Sequence, residues 1–427
     1  MSEQRVLEGV RIIDFGRALA APMCTLLLAD LGADVIKVEA PGAGDDSRAW
    51  PPHINDESTY FLSVNRNKRS VVLDLSTEEG RGIARLLISK ADIVVENFRP
   101  GVMGEWGLGY DDLKNEFPEL IYCSISGFGD VGPRSSLPAT DIAMQAYGGV
   151  MSITGEPGRL PPRIGVSLTD ITAGMLASYG ILAALLARRE SGKGQRVSTS
   201  LLDGQMAMLS YHIAAFAATG HNPGPIGTAH PSLAPYTIFR TRDGMISLAA
   251  FNDRLFQRAV RAMGLEELLD DSRYATNPLR VEHREQLEVP LSQRFLEENT
   301  AHWFTVLSEA NVPVAPVNTL ADLAVDPQVI AGEMWQTLEH PVAGEFTTFG
   351  FPVRMSENPA AVHRPPPVLG QHTREVLSAA GLPICEVERL ESVGIVFSSI
   401  SETPRTVKDK NVPRESAAPP QGNTNDE

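Results

Sequence analysis

Residues 159–196 read RLPPRIGVSLTDITAGMLASYGILAALLARRESGKGQR. A Pro-rich loop leads into Asp170, and the apolar residues that follow recur at helical spacing, so this pattern predicts one long helix. Arg188 and Arg189 occupy the last predicted turn, and Gly192 marks its end. We therefore expect Asp170 at the mouth of a helix, beside backbone N–H groups that have no partner inside the helix.

Two interpretations of Asp170 follow from this position. The first is a helix cap, a role for which Thr169 competes. The second is a carboxylate nucleophile, because an Asp side chain of ordinary pKa is ionised at pH 7 and can attack a thioester carbonyl. A helix N-terminus would hold that carboxylate and stabilise negative charge next to it.

The segment resembles the catalytic segment of the family III CoA-transferases, the group that includes formyl-CoA transferase and carnitine CoA-transferase. In that family the Asp that opens this helix is the nucleophile, and a helix of small residues, a Gly-x-Gly-Gln motif and a strand follow it. Here these parts are Asp170, Gly174, Gly180 and the run Gly192–Gln195. The resemblance covers about residues 6–380. It implies an α/β fold with a Rossmann-like large domain and a smaller α+β domain. It also implies an interlocked homodimer, in which each chain threads through the ring of the other.

Composition narrows the class of protein. A chain of 427 residues can form two or more domains, and its formal net charge of −16 argues against a nucleic-acid partner. Cys24, Cys123 and Cys385 form no CxxC pair, which favours a reducing compartment and no metal site.

No apolar signal core begins the chain, and the apolar stretch from Leu176 to Ala187 is shorter than the ~20 residues that a membrane span needs. We expect a cytoplasmic protein with no membrane partner.

The first forty residues predict a βαβ unit. Strands at 10–15 and 34–39 flank a helix that Pro22 opens and Gly32 ends, and strands so close together point to a parallel sheet. The loop after the first strand, 16–21, lacks the spaced glycines of a dinucleotide fingerprint, which disfavours a nicotinamide enzyme.

The family resemblance implies where coenzyme A (CoA) would bind. The run Asn97–Gly101 follows a predicted strand, at the edge where open α/β sheets bind ligands. The positions that match family CoA contacts are Leu19, Ala20, Leu73, Asn97, Phe98 and Arg99.

Two positions depart from the family pattern. Glu105 and Ala40 stand where formyl-CoA transferase and its relatives carry CoA-contacting or recurrent arginines. Other cations must then hold the CoA phosphates, and each candidate has solvated surface as its alternative. The candidates are Arg48, Lys68, Arg69 and Arg99. In the loop that leads to Arg48, Asp45 and Asp46 are expected to be solvated.

Single residues disfavour the alternative chemistries. An acyl-CoA racemase shares the family fold, but its catalytic His precedes the Asp that matches Asp141, and here that residue is Thr140. His230 lies in a Pro-rich loop, where a structural role competes with a catalytic one. The sequence has no GxSxG motif, which disfavours a serine hydrolase.

Breaker-rich segments divide the chain. We expect a large domain from 1–220, a small domain from 225–330, a return to the large domain over 331–399, and a disordered tail at 400–427. A buried helix is expected over 201–218, and Pro290 should interrupt a helix.

The predicted activity is transfer of CoA from an acyl-CoA to a carboxylic acid through an aspartyl intermediate. The whole-chain pattern looks closest to transferases that use succinyl-CoA and a dicarboxylic acid. The CoA thioester is itself a substrate, so no further cofactor is expected.

Overall fold

A computed structural model describes residues 5–399; the tail predicted at 400–427 lies outside the described residues. The strands are β1 (Arg11–Asp14), β2 (Asp34–Glu39), β3 (His53–Ile54), β4 (Glu57–Ser58), β5 (Lys68–Leu73), β6 (Ile93–Glu96), β7 (Ile121–Ser126), β8 (Arg196–Ser200), β9 (Tyr236–Arg240), β10 (Met245–Ala249), β11 (Val314–Pro316), β12 (Trp335–His340), β13 (Gly344–Phe349) and β14 (Val396–Phe397).

The helices are α1 (Ala20–Asp30), α2 (Thr59–Val64), α3 (Glu78–Ile88), α4 (Val102–Glu105), α5 (Tyr110–Leu113), α6 (Asp141–Tyr147), α7 (Leu168–Ser191), α8 (Leu201–Met208), α9 (Ser210–Thr219), α10 (Asp253–Met263), α11 (Asn277–Glu282), α12 (Arg284–Leu296), α13 (Thr300–Glu309), α14 (Leu320–Val325), α15 (Pro327–Ala331), α16 (Thr373–Ala380) and α17 (Ile384–Ser392).

Seven strands form the main sheet, in the order β14-β5-β2-β1-β6-β7-β8. Six of them pair in parallel, and β14 pairs antiparallel with β5. The predicted βαβ unit is confirmed, since β1 and β2 are parallel neighbours with Ile12 opposite Val35. The carboxyl ends of β5, β2, β1 and β6 therefore lie side by side at one edge of the sheet.

Helices cover both faces of this sheet. Alternate residues of β1 separate the two hydrophobic cores: Ile12 packs with α1 and α7, and Ile13 packs with α3, α16 and α17. This alternation follows from the two-residue period of a strand, which sends successive side chains to opposite faces. Helices α16 and α17, late in the chain, thus share a core with strands from its beginning.

Residues 236–316 contain a second sheet, with the order β11-β10-β9 and antiparallel pairing. Its own core includes the buried rings of Phe295 and Trp303, and the indole N–H of Trp303 donates to the Phe295 carbonyl at 2.9 Å. The hairpin predicted here is confirmed as β9 and β10.

Two predicted helices differ from the structure. The helix expected over 201–218 is divided at Leu209 into α8 and α9, and no residue of α9 is buried within this chain. The predicted break at Pro290 is wrong, since Pro290 lies inside the continuous helix α12. A proline inside a helix loses one backbone hydrogen bond and crowds the carbonyl four residues earlier, and packing of the buried Leu287 and Leu291 offsets that cost.

The predicted central helix is confirmed, but it is apolar over a longer stretch than Leu176–Ala187 indicates. α7 spans 24 residues, and among the described helices it alone is long and apolar enough to cross a membrane by length and composition. In the fold it packs against α1, α8 and the β7–β8 edge, as core helices of α/β proteins do. Buried core helices of proteins outside membranes can be equally long and apolar.

Candidate active site

A largely apolar cleft of about 220 Å³ lies at the carboxyl ends of β1, β2, β5 and β6. The last residues of these strands and the residues just after them supply its walls: Phe15–Arg17, Val38–Pro41, Leu73–Ser76 and Phe98. The rings of Phe98 and Trp106 meet edge to face, with centroids 5.3 Å apart. This cleft is where an open α/β sheet is expected to bind a ligand.

The loop after β1 is fixed by hydrogen bonds from three directions. The Gly16 N–H donates to Asp14 at 2.8 Å, and the Gly16 carbonyl accepts from the Lys37 ammonium at 2.6 Å. Ala18 adopts a left-handed conformation (φ 61°), and its N–H donates to Asp45 at 3.1 Å. Because a non-glycine residue at positive φ is strained, these bonds hold a conformation that the loop would not keep alone.

Buried charges support that loop from below. Lys37 and Asp45 form an ion pair of 2.7 Å with both side chains almost fully buried, so the predicted solvation of Asp45 is wrong. Burial alone would raise the pKa of Asp45, but the charge and hydrogen bond of Lys37 outweigh it and hold that pKa well below its usual range. Lys68 is also fully buried, beside Asp14 at 3.2 Å, and burial lowers its pKa to about 8.

Asp170 lies in the first turn of α7, three residues after the N-cap Ser167. The predicted helix start is confirmed, but the cap role is not: within the described chain Asp170 accepts no hydrogen bond, and Asp141 of α6 accepts the Thr169 N–H at 3.0 Å instead. The Asp170 carboxylate thus has no hydrogen-bond donor among the described residues.

The start of α1 lies against the same face of α7. Gly174, one turn after Asp170, packs so closely that a Cβ there would lie 2.5 Å from the Ala20 carbonyl oxygen. α1 begins beyond the N-cap Leu19 with no side-chain hydrogen bond, and a helix N-terminus stabilises negative charge. The loop of residues 16–20 thus connects the cleft to the turn that carries Asp170.

The environment of Asp170 changes its acidity. Burial, followed by the negative charge of Asp141, raises the pKa of Asp170 to about 7. The expectation of a fully ionised carboxylate at pH 7 is therefore corrected: near neutral pH, the protonated and ionised forms coexist. Tyr60 of α2 faces the same carboxylate, and burial together with the Asp170 charge raises the pKa of the Tyr60 phenol, whose hydroxyl is bonded to Ser167.

The residues predicted to contact CoA lie in three different parts of the candidate site. Leu73 and Phe98 line the cleft. Leu19 and Ala20 are buried at the start of α1, beside the turn of Asp170. Asn97 holds the loop, because its amide accepts from the Arg17 N–H at 2.8 Å and donates to the Arg17 carbonyl at 2.9 Å.

Three of the four cations predicted as candidates for phosphate binding are already paired within the chain. The alternative prediction, that these side chains lie in water at the surface, is therefore wrong. Arg48 makes two bonds to Glu39, at 2.7 and 2.8 Å. Lys68 is enclosed, and Arg69 is bonded to Asp34 and Glu375. A role for these groups in phosphate binding stays a prediction that would require breaking the pairs.

Arg99 is different, because it is exposed and forms no ion pair within the described residues. Arg17, not among the predicted candidates, lines the cleft and pairs at 2.8 Å with the exposed Asp46. Both guanidinium groups are accessible cations next to the cleft walls.

His230 lies away from this cleft. Its ring is 5.2 Å from that of Tyr236 and 6.2 Å from that of Tyr211, and its Nδ1 accepts from the Ser232 N–H at 3.1 Å. This bond within its own loop matches the structural interpretation of His230. Among the described residues, no group of three or more His, Cys, Asp or Glu side chains is placed to hold a metal.

A sequence profile of "CoA-transferase family III" matches residues 7–373. The chain belongs to this family. The transferase is 43% identical over 372 residues to a mouse (Mus musculus) protein named succinyl-CoA:glutarate CoA-transferase, covering 87% of this chain and 85% of that protein. It is 40% identical to the succinate–glutarate CoA-transferase of Agrobacterium fabrum, covering 87% and 95% of the two chains.

Solved structures agree with the assignment. The transferase superposes on a CaiB/BaiF family protein from Brucella suis with a TM-score of 0.79 and 37% identity, over 88% of this chain and all of that one. The predicted enzyme class and family are thus confirmed, as is the α/β fold with a large, mainly parallel sheet.

Four residues in or next to the candidate site were not predicted as site residues from the sequence. Tyr60 faces Asp170 from a short helix whose sequence shows no functional pattern. Arg17 was passed over because its loop lacks a known fingerprint. The joint role of Asp141 and Gln145 was not predicted, although their i, i+4 spacing already places both on one helix face.

Proposed function

We propose that this transferase moves CoA from succinyl-CoA to a dicarboxylic acid, with glutarate as the first candidate, through a covalent intermediate on Asp170. The observation that carries the mechanism is the Asp170 carboxylate, which is held in the first turn of α7 yet is free of hydrogen bonds within the described chain. The names of the relatives support the choice of substrates.

The reaction proceeds by four acyl transfers. The ionised Asp170 attacks the thioester carbonyl carbon, the C–S bond breaks, and a mixed anhydride and CoA thiolate form. The thiolate attacks the Asp170 carbonyl carbon and releases the first acid as its carboxylate, leaving an aspartyl-CoA thioester. The acceptor carboxylate then attacks this thioester, and the released thiolate attacks the acceptor carbonyl. The new acyl-CoA leaves, and Asp170 is ionised again.

The site suits this sequence of steps. The negative charge that develops on the carbonyl oxygen needs donors that are already in place, and the uncapped start of α1 beside the turn of Asp170 supplies backbone N–H groups of that kind. The apolar cleft at the strand ends accommodates the CoA chain, with Leu73 and Phe98 in its walls. No metal or further cofactor takes part in any step. We keep the cytoplasm as the proposed location.

The test is an acceptor screen read by product mass. Succinyl-CoA with glutarate, and with other dicarboxylates, should give the new acyl-CoA, while Asp170→Ala should give none and remain folded. Hydroxylamine added with succinyl-CoA should convert Asp170 to a hydroxamate. A label on another residue, or retention of more than a few per cent of activity by Asp170→Ala, would refute the covalent route.

A racemase remains the alternative within the family fold. The residue before Asp141 is Thr140, which is exposed at the N-cap of α6 and cannot abstract an α-proton at neutral pH. Incubation with one chiral acyl-CoA in heavy water separates the two activities. Deuteration at the α-carbon without an acceptor acid would favour the racemase.

We also propose that the transferase is an interlocked homodimer. Large apolar side chains of α7 and α9 are exposed on the single chain: Met175, Tyr179, Leu186, Tyr211 and Phe216. Apolar surface of this extent on two helices is typical of an interface. The chain also leaves the main sheet after β8 and returns to it at β14, and the interlocked arrangement requires a path of this kind.

An interlocked dimer cannot separate without unthreading. Sizing at nanomolar concentration, below the thermal unfolding transition, should therefore show dimer only. A folded monomer that appears reversibly on dilution would contradict the interlocked arrangement.

A further inference from the structure

Asp141, the first residue of α6, makes contacts that secure the start of α7. One carboxylate oxygen accepts both the backbone N–H of Thr169, at 3.0 Å, and the Thr169 hydroxyl, at 2.9 Å. The other oxygen accepts from the Gln145 amide at 2.7 Å. Three donors therefore converge on one buried carboxylate.

Gln145 extends the same set of contacts to the loop before the nucleophile. Its amide oxygen accepts the Ile164 N–H at 2.8 Å, and its nitrogen also reaches the Val166 carbonyl at 3.3 Å. The segment that enters α7 is therefore bonded at residues 164, 166 and 169 to one pair of side chains on α6. Both side chains of this pair are buried.

This arrangement divides two tasks between two carboxylates. Caps normally come from the residues at the helix start itself, yet neither the N-cap Ser167 nor Asp170 accepts a capping bond from a backbone N–H of α7 among the described residues. Asp141 takes the backbone donor from outside the helix, so Asp170 is not consumed as a cap. A nucleophile that also accepted this bond would lose part of its reactivity.

The titratable groups near Asp170 come from four helices. From α6 it faces Asp141, and from α2 it faces the phenol of Tyr60. Of the other helices packed on α7, α1 carries the buried thiol of Cys24 at this end, and α8 carries Asp203, whose carboxylate accepts the Ser200 hydroxyl at 2.7 Å. Asp141 is thus the charge that acts on Asp170 most directly among the described residues.

We propose that Asp141 is a positioning residue of the catalytic centre, whose carboxylate caps the helix of Asp170 from α6 and whose negative charge opposes a second charge on Asp170. This inference rests on the proposed role of Asp170 as the nucleophile. It predicts that Asp170 is partly protonated in the free enzyme. It also predicts that the charge on Asp141 raises the pH below which activity is lost.

The test is the pH dependence of kcat/KM for succinyl-CoA, which reports groups of the free enzyme. Wild type should show an ascending limb with a midpoint near 7, because Asp170 must be ionised to attack. Asp141→Asn keeps an oxygen for the Thr169 donors and removes the charge. Its limb should move to lower pH by roughly 0.5–1 unit, since burial still contributes the larger part of the shift.

The matched control is Asp322→Asn. Asp322 accepts the N–H and hydroxyl of Thr319, both at 2.7 Å, and so makes the same pair of contacts far from the site. The ascending limb of the pH profile of Asp322→Asn should coincide with that of wild type. If Asp141→Asn leaves the limb within 0.2 units of wild type while hydroxylamine still labels Asp170, Asp141 has only a structural role and the inference fails.

A second measurement does not depend on turnover. Carbodiimide modifies protonated carboxyl groups, so the labelling of Asp170 against pH, followed by peptide mass, titrates this residue directly. The midpoint should fall in Asp141→Asn and should be unchanged in Asp322→Asn. If wild type forms no hydroxamate on Asp170, the covalent route fails, and Asp141 then positions no nucleophile, so both proposals fall together.

Discussion

The side-chain amide of Asn97 hydrogen-bonds both backbone groups of Arg17, joining the end of β6 to the loop after β1. That loop forms one wall of the cleft. Asn97→Ala should therefore raise the KM for succinyl-CoA by about 5–50-fold, since each lost bond costs about 0.5–1.5 kcal/mol and the loop loses its fixed shape. Steady-state kinetics with the acceptor at saturation provide the measurement.

Asn299→Ala is the matched control for this prediction. Asn299 caps α13 by accepting the His302 N–H at 2.8 Å, and its loss should reduce stability by about 1 kcal/mol without changing KM. If both variants raised KM equally, the effect of Asn97 would be one of general stability.

Asp170→Asn should abolish transfer and stabilise the protein in a pH-dependent manner. The pKa of Asp170 is about 7 in the fold against 3.8 for the reference carboxyl, so the folded state holds a proton that the unfolded state has released. The free energy of unfolding of wild type therefore falls as pH rises from 4 to 7, and the loss is complete above 7. The Asn variant escapes that loss.

The expected gain is about 1–2 kcal/mol at pH 8, after allowing for solvent screening, and clearly less at pH 5. Thermal unfolding at the two pH values measures it. Asp56→Asn, in an exposed loop, should show no such difference. Equal stabilisation of Asp170→Asn at both pH values would contradict the raised pKa.

Gly174→Ala should reduce activity at least tenfold and destabilise the protein by about 1–3 kcal/mol. The added Cβ would lie 2.5 Å from the Ala20 carbonyl oxygen, so α1 and α7 must move apart next to the reacting group. Gly82→Ala, at a helix position where a Cβ meets nothing within 4 Å, should instead be neutral or stabilising by about 0.5–1 kcal/mol. Similar behaviour of the two variants would show that the helix contact is unimportant.

Arg99→Ala and Arg48→Ala should fail in different ways. Loss of the exposed Arg99 should raise the KM for succinyl-CoA about tenfold or more with little change in stability, because a charge-assisted bond to phosphate contributes about 1.5–3 kcal/mol. Loss of Arg48 leaves the buried Glu39 unpaired and should cost about 3–5 kcal/mol of stability. An Arg48→Ala variant with unchanged melting temperature and a raised KM would return the phosphate role to Arg48.

Local sequence patterns predicted the secondary structure, which depends on residues that are close in the chain. The spacing of strand, helix and strand around Pro22 predicted a parallel sheet, and the apolar period after Asp170 predicted α7. Burial of charge was not predictable, because the partners lie far apart in sequence: Arg69 is bonded to Glu375, 306 residues away. Asp45 was expected to be solvated although its partner Lys37 is near in sequence, because the loop pattern does not show that the two side chains are buried together.

The exposure of α9 has a different origin. Its sequence, SYHIAAFAAT, is as apolar as that of a buried helix, and it was predicted to be one. An apolar pattern indicates that a helix is buried, but it does not show whether its own chain or another chain buries it. The pKa of Asp170 was likewise out of reach, since it depends on burial and on a carboxylate from another helix.

The pairing of β14 with β5 has a consequence for synthesis of the protein on the ribosome. The outer edge of β5 ends at Leu73, and Val396, its partner, emerges about 320 residues later. At ~5–20 residues per second, that edge stays open for roughly 15–60 s after β5 has formed. An unpaired edge strand is a template for pairing with another chain. A nascent chain thus faces a period in which other strands can compete for the place of β14, and stalling of translation would lengthen it.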